Sequence, residues 1–357
     1  MANQEGGAGQ MKEAVNGTLN CTMSGPVKVY PERVWRTYLG GKLLDGRLGK
    51  TEAGDGHYPE EWILSSVAAV GPDGAEEGIC KADWGGEKMP FTALCPNMGV
   101  LTKVIDSAER LTIQVHPDRD RAMRYFHSAY GKTECWHILG KRQKDGCIYL
   151  GFRPGITRMI WEECFWRQDI GRMLGCLHRI PVKPGETYLI PGGMPHAIGA
   201  GCLLLEIQEP TDYTLRTECV TPSGERIDEK LIHQGIGIEN MFECFDYNGL
   251  TEKELMERCR ISRRQTERAG ISWVCLAGKP QVSCFSLLYI EVLGNCTMRG
   301  EKSAYGLYVW EGRGKLISKS EEYLMEPGSQ FLIPPGCDVF SLVSEKTVRL
   351  FRVEGPE

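Results

Sequence analysis

Short apolar runs separated by Gly- and Pro-rich turns account for most of the chain. Residues 111–116, Leu-Thr-Ile-Gln-Val-His, alternate apolar and polar positions as a half-buried strand does. Runs at 62–69, 100–105, 135–139, 147–152, 187–190 and 203–207 predict further strands. The period changes over 157–177, where Ile160, Cys164, Ile170, Met173 and Leu177 recur at spacings that predict one or two helices. A polar, charged stretch follows from 211 to 270, and within it Thr251-x-x-Glu254 reads as a capping box opening a short helix. Beyond Ile271 the short strands and Gly turns resume. The pattern predicts a mainly β protein with a small helical insert.

The strands repeat. Pro184-Gly-Glu-Thr-Tyr-Leu-Ile-Pro-Gly-Gly-Met-Pro-His196 aligns without a gap on Pro327-Gly-Ser-Gln-Phe-Leu-Ile-Pro-Pro-Gly-Cys-Asp-Val339, at an offset of 143 residues. Both carry Gly-x5-Pro-x-Gly-x2 and then differ, His196 against Val339. The stretch 306–310 likewise resembles 134–138. Such a duplication predicts two copies of one β unit, each a small β-barrel whose turn presents a side chain at its mouth. Only the first copy keeps the histidine, so the second is expected to lack metal ligands. The expected organisation is an N-terminal arm at 1–26, a catalytic β domain at 27–211 with its helices near 157–177, a helical and loop insert at 212–270, and a C-terminal β domain at 271–357.

Composition narrows the function classes. In 357 residues, 41% are hydrophobic and 25% charged, as in soluble globular proteins. The net charge of −5 offers no basic footprint for nucleic acid. No apolar run reaches the ~18 residues of a membrane helix, and the polar, Gly-rich residues 1–11 contain no signal-peptide core. The 15 cysteines are odd in number, scattered and without a Cys-x2-Cys pair, which predicts free thiols in a reducing cytoplasm.

Candidate chemistry gathers in three segments. Gln114 and His116 lie two apart on the alternating strand, so their side chains leave one face. Lys132 and Glu134 share a face at the start of the next apolar run, and His196 follows the Pro/Gly turn of the repeat. Two histidines and a carboxylate on adjacent strands suit a divalent metal, and Gln114 can add an oxygen. This N/O set fits zinc with positions left open for water or substrate. His57, His127, His137, His178 and His233 have no such neighbours and read as ordinary surface or core histidines.

The same segments resemble the signatures of type I phosphomannose isomerases in their short bacterial form. Matching runs are Ile113-Gln-Val-His-Pro-Asp118, Gly131-Lys-Thr-Glu-Cys-Trp136, Arg179-Ile-Pro-Val-Lys-Pro-Gly185 and His196-Ala-Ile-Gly-Ala-Gly201. Arg33-Val-Trp35, Lys103-Val-Ile-Asp106 and Glu206-Ile-Gln208 match as well, in the family's order. The resemblance spans roughly 27–216 and implies a double cupin. It implies one zinc ion per chain held by His116, Glu134 and His196, with Gln114 as a further ligand in some members. It also implies an active-site arginine at Arg216. The implied reaction moves a proton between C1 and C2 of an aldose or ketose 6-phosphate through a cis-enediol. Lys132, Glu206 and Arg216 are then the expected catalytic groups, and Ser65, Lys103 and Thr112 candidates for binding the sugar phosphate.

Two segments depart from the family pattern. Ile63 replaces a carboxylate in Glu60-Glu-Trp-Ile-Leu-Ser65, and 217–226 replaces a Tyr-Asp-Trp-Gly-Arg-like run, with Leu215 where an aromatic is usual. The leading expectation is a zinc-dependent isomerase interconverting mannose 6-phosphate and fructose 6-phosphate; if both segments line the pocket, the same chemistry on a different sugar is the alternative. A metal-retaining cupin that binds sugar without turnover and a bicupin dioxygenase are the other classes. The first has no need of Lys132, Glu206 and Arg216, and the second usually has another histidine in the first motif. Oligomeric state is not legible in the sequence.

Overall fold

A computed structural model of the chain describes residues 23–49, 51–262, 264–268 and 270–356, so most of the expected arm lies outside the described residues. The first β unit consists of two antiparallel sheets. One holds six strands in the order Thr187–Ile190, Glu134–Lys141, Cys202–Gln208, Leu101–Asp106, Glu60–Ile63 and Glu32–Val34. The other holds Leu177–Pro181, Cys147–Phe152, His196–Ile198, Gln114–Val115 and Leu215–Arg216. Alternation decides what fills the space between them. Ile105, Trp136, Ile138, Tyr188 and Leu204 from the first sheet meet Ile148, Leu150, Ile180 and Ile198 from the second. Among the described residues no strand ladder joins the two sheets. The unit is a jelly roll of two facing sheets.

The second unit repeats the six-strand order as Gln330–Ile333, Tyr305–Glu311, Phe340–Glu354, Ser286–Met298, Ile271–Ala277 and Arg264–Arg268. Register repeats with it. Glu134 pairs with Ile190 as Tyr305 pairs with Ile333, and Trp136 pairs with Glu206 as Leu307 pairs with Arg352, which moves the alignment of 306–310 on 134–138 by one residue, to 305–309. In this copy the 13-residue and 15-residue strands run on into the second layer, where Phe340–Glu354 also pairs with Gly314–Ile317. The corresponding strands of the first copy are broken into separate pieces, at 107–113 and at 199–201. The fold is thus mainly β, a double cupin built from two copies of one unit.

The chain order of the two units is not clean. Val27–Tyr30 pairs with Gln330–Ile333, and Lys81–Trp84 and Glu87–Pro90 continue that sheet. Val27 and Val29 enter the core between the units, and the strand covers what would be an open edge of the second sheet. That core takes the outward-facing residues of the six-stranded sheet. Ile63, Val104, Cys135, Leu205 and Ile207 pack with Tyr308, Leu332, Phe351 and Val353. Tyr308 also donates a 2.8 Å hydrogen bond to the buried Glu61.

Helices Arg158–Arg167 and Ile170–Gly175 occupy the stretch where the apolar spacing changes, with Asp169 capping the second. Trp161, Phe165 and Met173 pack with Ile113, Val115 and Phe152, on the side of the five-stranded sheet away from the cavity. Thr251 and Glu254 form the capping box of Glu252–Cys259.

Candidate metal centre and active site

Three strands and one turn converge on a buried cluster. The Gln114–Val115 strand pairs with His196–Ile198 at Gln114 and His196, and Glu134 opens the adjacent strand of the facing sheet. His116, Glu134 and His196 bring one ligand atom each within 4.8 Å of one another. His116 Nε2 lies 3.3 Å from Glu134 Oε2 and 3.2 Å from His196 Nε2, and His196 Nε2 lies 3.3 Å from Glu134 Oε1. Gln114 stands beside them, its side-chain amide 3.3 Å from His196 Nε2.

The donor set fits a divalent cation. His116 Nδ1 donates to the Tyr213 carbonyl at 2.7 Å, and His196 Nδ1 to the Met194 carbonyl at 2.8 Å. Each outer bond fixes the tautomer that aims a bare Nε2 at the cluster. Burial, and then Lys132, pull His116 down to about 3; burial also lowers His196, so both rings are neutral near pH 7. Burial pushes the Glu134 carboxyl up, but the adjacent Lys132 ammonium leads the influences that outweigh it and hold the group well below the usual carboxylate range. Glu134 Oε1 is buried without a hydrogen-bond donor, which is costly unless a cation satisfies it.

Catalytic candidates lie on the same side of the sheet. Lys132 Nζ is 2.8 Å from both His116 Nε2 and Glu134 Oε2. Trp62, Lys103, Glu206 and Trp136 form one cross-strand row. Lys103 Nζ reaches Glu206 Oε1 at 3.2 Å, and the Trp136 indole donates to Glu206 Oε2 at 2.8 Å. Burial, reinforced by Glu134, raises the Glu206 carboxyl, with Lys103 opposing. Arg216 donates to the carbonyls of Leu231 at 2.7 Å and Thr214 at 3.2 Å, and burial brings its guanidinium down to about 10.

A narrow cavity of about 40 Å³ is bordered by Lys103, Thr112, Gln114, Lys132, Glu206 and Arg216. Arg36, Thr37, Asp212 and Arg216 also line an outer depression of about 830 Å³, which gives the cavity its approach from solvent. Thr112 and Lys103 both border the cavity. Ser65 does not: it is buried outside both linings and closes its own turn, bonding the Val67 N–H at 3.1 Å and carbonyl at 3.3 Å.

Four cavity groups escaped the sequence reading. Glu60 accepts hydrogen bonds from Arg36 at 2.9 Å, Tyr38 at 2.7 Å and Trp62 at 2.8 Å, and lies 3.5 Å from Lys103. Arg36 also reaches Asp212 at 3.4 Å. Glu60 shares the inward face with Trp62 through simple alternation, a usable signal; no pattern marks Arg36, Tyr38 or Asp212. The departing residues prove to lie elsewhere. Ile63 faces the core between the units, Leu215 packs with the helices, and Glu218 is buried against Arg110; no residue of 217–226 lines either space.

The fold is that of a double cupin, and His116, Glu134 and His196 form a group that could hold a metal ion. The chain is 31% identical to YvyI of Bacillus subtilis (strain 168) over 320 residues, 88% of this chain and 93% of the other, and that relative carries only a provisional assignment as a mannose-6-phosphate isomerase. It is 28% identical to mannose-6-phosphate isomerase ManA of the same organism over 245 residues, 68% of this chain and 71% of the other. The chain belongs to the type I phosphomannose isomerase, or mannose-6-phosphate isomerase, family. The crystal structure of the Bacillus subtilis mannose 6-phosphate isomerase superposes with a TM-score of 0.73 at 22% identity, covering 92% of this chain and 99% of that one. A phosphomannose isomerase from Salmonella typhimurium superposes at 0.65 and 14% identity, covering 93% of this chain and 100% of the other. No family profile matches the chain.

Proposed function

We propose that this isomerase interconverts mannose 6-phosphate and fructose 6-phosphate, with zinc held by His116, Glu134, His196 and Gln114. The supporting observation is one convergence: a buried His–Glu–His set beside a cavity that joins Lys103, Lys132, Glu206 and Arg216. When bound, the ion would supply Lewis-acid stabilisation of negative charge on the substrate oxygens. The chain's own groups do the rest. Glu206, whose carboxyl burial and Glu134 raise above the ordinary value, moves the proton between C1 and C2 through a cis-enediol. Lys103 holds Glu206 in place, and Lys132 and Arg216 offer positive charge to the developing oxyanion. Thr112 and the cationic rim of Arg36 and Arg216 position the sugar phosphate. The relatives named mannose-6-phosphate isomerase support this substrate, and the displacement of Ile63 from the cavity removes the ground for preferring another. The scattered cysteines, without a Cys-x2-Cys pair, support a reducing, cytoplasmic setting.

The test is aldose–ketose exchange in deuterated water across a panel of aldose 6-phosphates, with zinc-loaded protein. Mannose 6-phosphate should turn over with deuterium appearing at the exchanging carbon. No turnover of any sugar phosphate would end the isomerase assignment, and a clear preference for another sugar would end the substrate assignment alone.

A further inference from the structure

The cavity beside the metal cluster is too small for a sugar phosphate. At about 40 Å³ it has room for about three waters, whereas the outer depression of about 830 Å³ takes a whole hexose phosphate. Arg36, Thr37, Asp212 and Arg216 border both spaces and so stand at the neck between them. Two opposite charges meet in that neck: Arg36 Nη2 lies 3.4 Å from Asp212 Oδ2.

One of these partners is fixed and the other is not. The Arg36 Nε donates to Glu60 at 2.9 Å, its Nη1 donates to the Trp35 carbonyl at 3.0 Å, and its guanidinium carbon lies 5.0 Å from the Trp62 ring centroid. The side chain is only 11% exposed, and Nη2 is buried without a hydrogen-bond acceptor, because the contact with Asp212 has the distance of an ion pair but not the geometry of a hydrogen bond. A buried N–H left bare costs free energy until an acceptor reaches it. Asp212 is 32% exposed, and among the described residues its carboxylate accepts no hydrogen bond. Its backbone is anchored, since Gln234 donates to the Asp212 carbonyl at 3.3 Å and His116 to the next carbonyl, that of Tyr213, at 2.7 Å. The carboxylate can therefore swing on its own side-chain torsions without disturbing His116.

Charge around the neck says what would displace it. The outer depression is lined by Arg36, Arg216 and Lys230 against one carboxylate, Asp212 itself. The inner cavity adds Lys103 and Lys132 against Glu60 and Glu206. Lys103 and Lys132 are engaged by Glu206 and Glu134, and Arg216 by the Leu231 and Thr214 carbonyls. A sugar hydroxyl is neutral and accepts more weakly than a carboxylate. A phosphate monoester carries nearly two charges and three acceptor oxygens, enough to outcompete a single carboxylate for a guanidinium. Ion contacts also run along one wall from Arg36 to Glu60, from Glu60 to Lys103 at 3.5 Å and from Lys103 to Glu206 at 3.2 Å. A sugar with its phosphate on Arg36 thus extends its other end toward Glu206.

We propose that Asp212 is the internal counter-ion of a phosphate subsite on Arg36: it occupies the guanidinium in the free protein until the phosphate group of a sugar displaces it, takes Nη2 and opens the neck. The inference rests on reading the substrate as a sugar phosphate, and it makes Asp212 the residue that renders entry conditional on phosphate.

Calorimetric titration of the zinc-loaded full chain with inorganic phosphate tests this, repeated in His116→Ala to exclude binding at the metal. Asp212→Asn removes the competing charge at nearly constant shape and should tighten phosphate binding by roughly fivefold, with His116 or without it. Damage to the fold would not produce such a gain. Arg36→Met should weaken binding by about tenfold or more, and if that variant does not fold, Asp212→Asn decides alone. The proposal is overturned if Asp212→Asn binds phosphate no tighter than the parent, if folded Arg36→Met binds it as the parent does, or if phosphate binds only where the metal site is intact. Mannose 6-phosphate turnover without a gain in Asp212→Asn would end the counter-ion proposal and spare the isomerase assignment. A gain in Asp212→Asn with no turnover of any sugar phosphate would do the reverse.

Discussion

Lys103 and Glu206 face each other in register on neighbouring antiparallel strands, nearly fully buried, with Nζ 3.2 Å from Oε1. Among the described residues neither charge has another full counter-charge as close: Glu60 is 3.5 Å from Lys103 Nζ and also serves Arg36. Removing one partner leaves the other in a low-dielectric site, which typically costs about 3–5 kcal/mol.

Lys103→Met should therefore destabilise the fold by about 3 kcal/mol, read as a lower urea midpoint at pH 7. It should also push the Glu206 carboxyl further up, because the cation that now opposes burial and Glu134 is gone. Turnover should fall steeply while ion content stays near that of the parent. A stable variant with unchanged kcat would remove Lys103 from both roles.

Ion binding should depend on His116, Glu134 and His196 and not on the cavity cations. His116→Ala and His196→Ala should each reduce zinc affinity at least a hundredfold, by competition with a chromogenic chelator. Arg216→Ala should keep about one ion per chain and lose most of kcat, since Arg216 bonds the Leu231 and Thr214 carbonyls outside the cluster. Equal loss of metal in Arg216→Ala would place that residue in the metal centre's support.

Acid sensitivity should trace to Glu60. Burial would raise its carboxyl, but Arg36 and Lys103, helped by the bonds from Trp62 and Tyr38, bring it down to about 2 from an ordinary 4.5. A folded-state pKa below the unfolded one gives stability that is present above pH 4.5 and lost as pH falls from there toward 2, on the order of 3 kcal/mol in all. Glu60→Gln should lose most of this at pH 7, and its stability should be flatter than the parent's between pH 5 and 3. Parallel urea curves at those pH values check it; an unchanged acid limb would show that other carboxylates govern it.

Much of this was legible before the fold was known. Alternation alone placed Gln114 with His116 and Lys132 with Glu134, because a strand's period of two leaves no freedom about which side chains share a face. The gapless repeat disclosed the duplicated unit, and His196 against Val339 singled out the first copy, where the fold groups His196 with His116 and Glu134. What alternation could not show is which face of a strand meets which neighbour. Glu60 and Ile63 are three apart and so lie on opposite faces, one in the cavity and one between the units, and only packing says which is which. Arg36 and Asp212 lie on connecting segments, whose paths follow from the elements they join and not from their own pattern. Val27–Tyr30 is a further case: nothing local says that an N-terminal strand will complete the C-terminal sheet.

The position of Ile63 carries the last prediction. If a pocket carboxylate had been lost there, sugar preference should differ from the family's, and restoring it should restore that preference. In the structure Ile63 is 1% exposed and packs in the apolar core between the units, on the sheet face opposite Lys103 and Glu206. Ile63→Glu should then bury a charge without a partner, lower stability by at least about 3 kcal/mol and leave relative kcat/KM values among aldose 6-phosphates unchanged in whatever protein remains folded. Ile63→Val removes one methylene, costs about 1 kcal/mol and keeps the protein fully folded, so its specificity profile is the cleaner measurement. Both variants should keep the parent's ratio of mannose 6-phosphate to its competitors within twofold. A shift of tenfold or more in Ile63→Val would mean that this face of the strand communicates with the sugar site, and that the departure at position 63 bears on the choice of substrate after all.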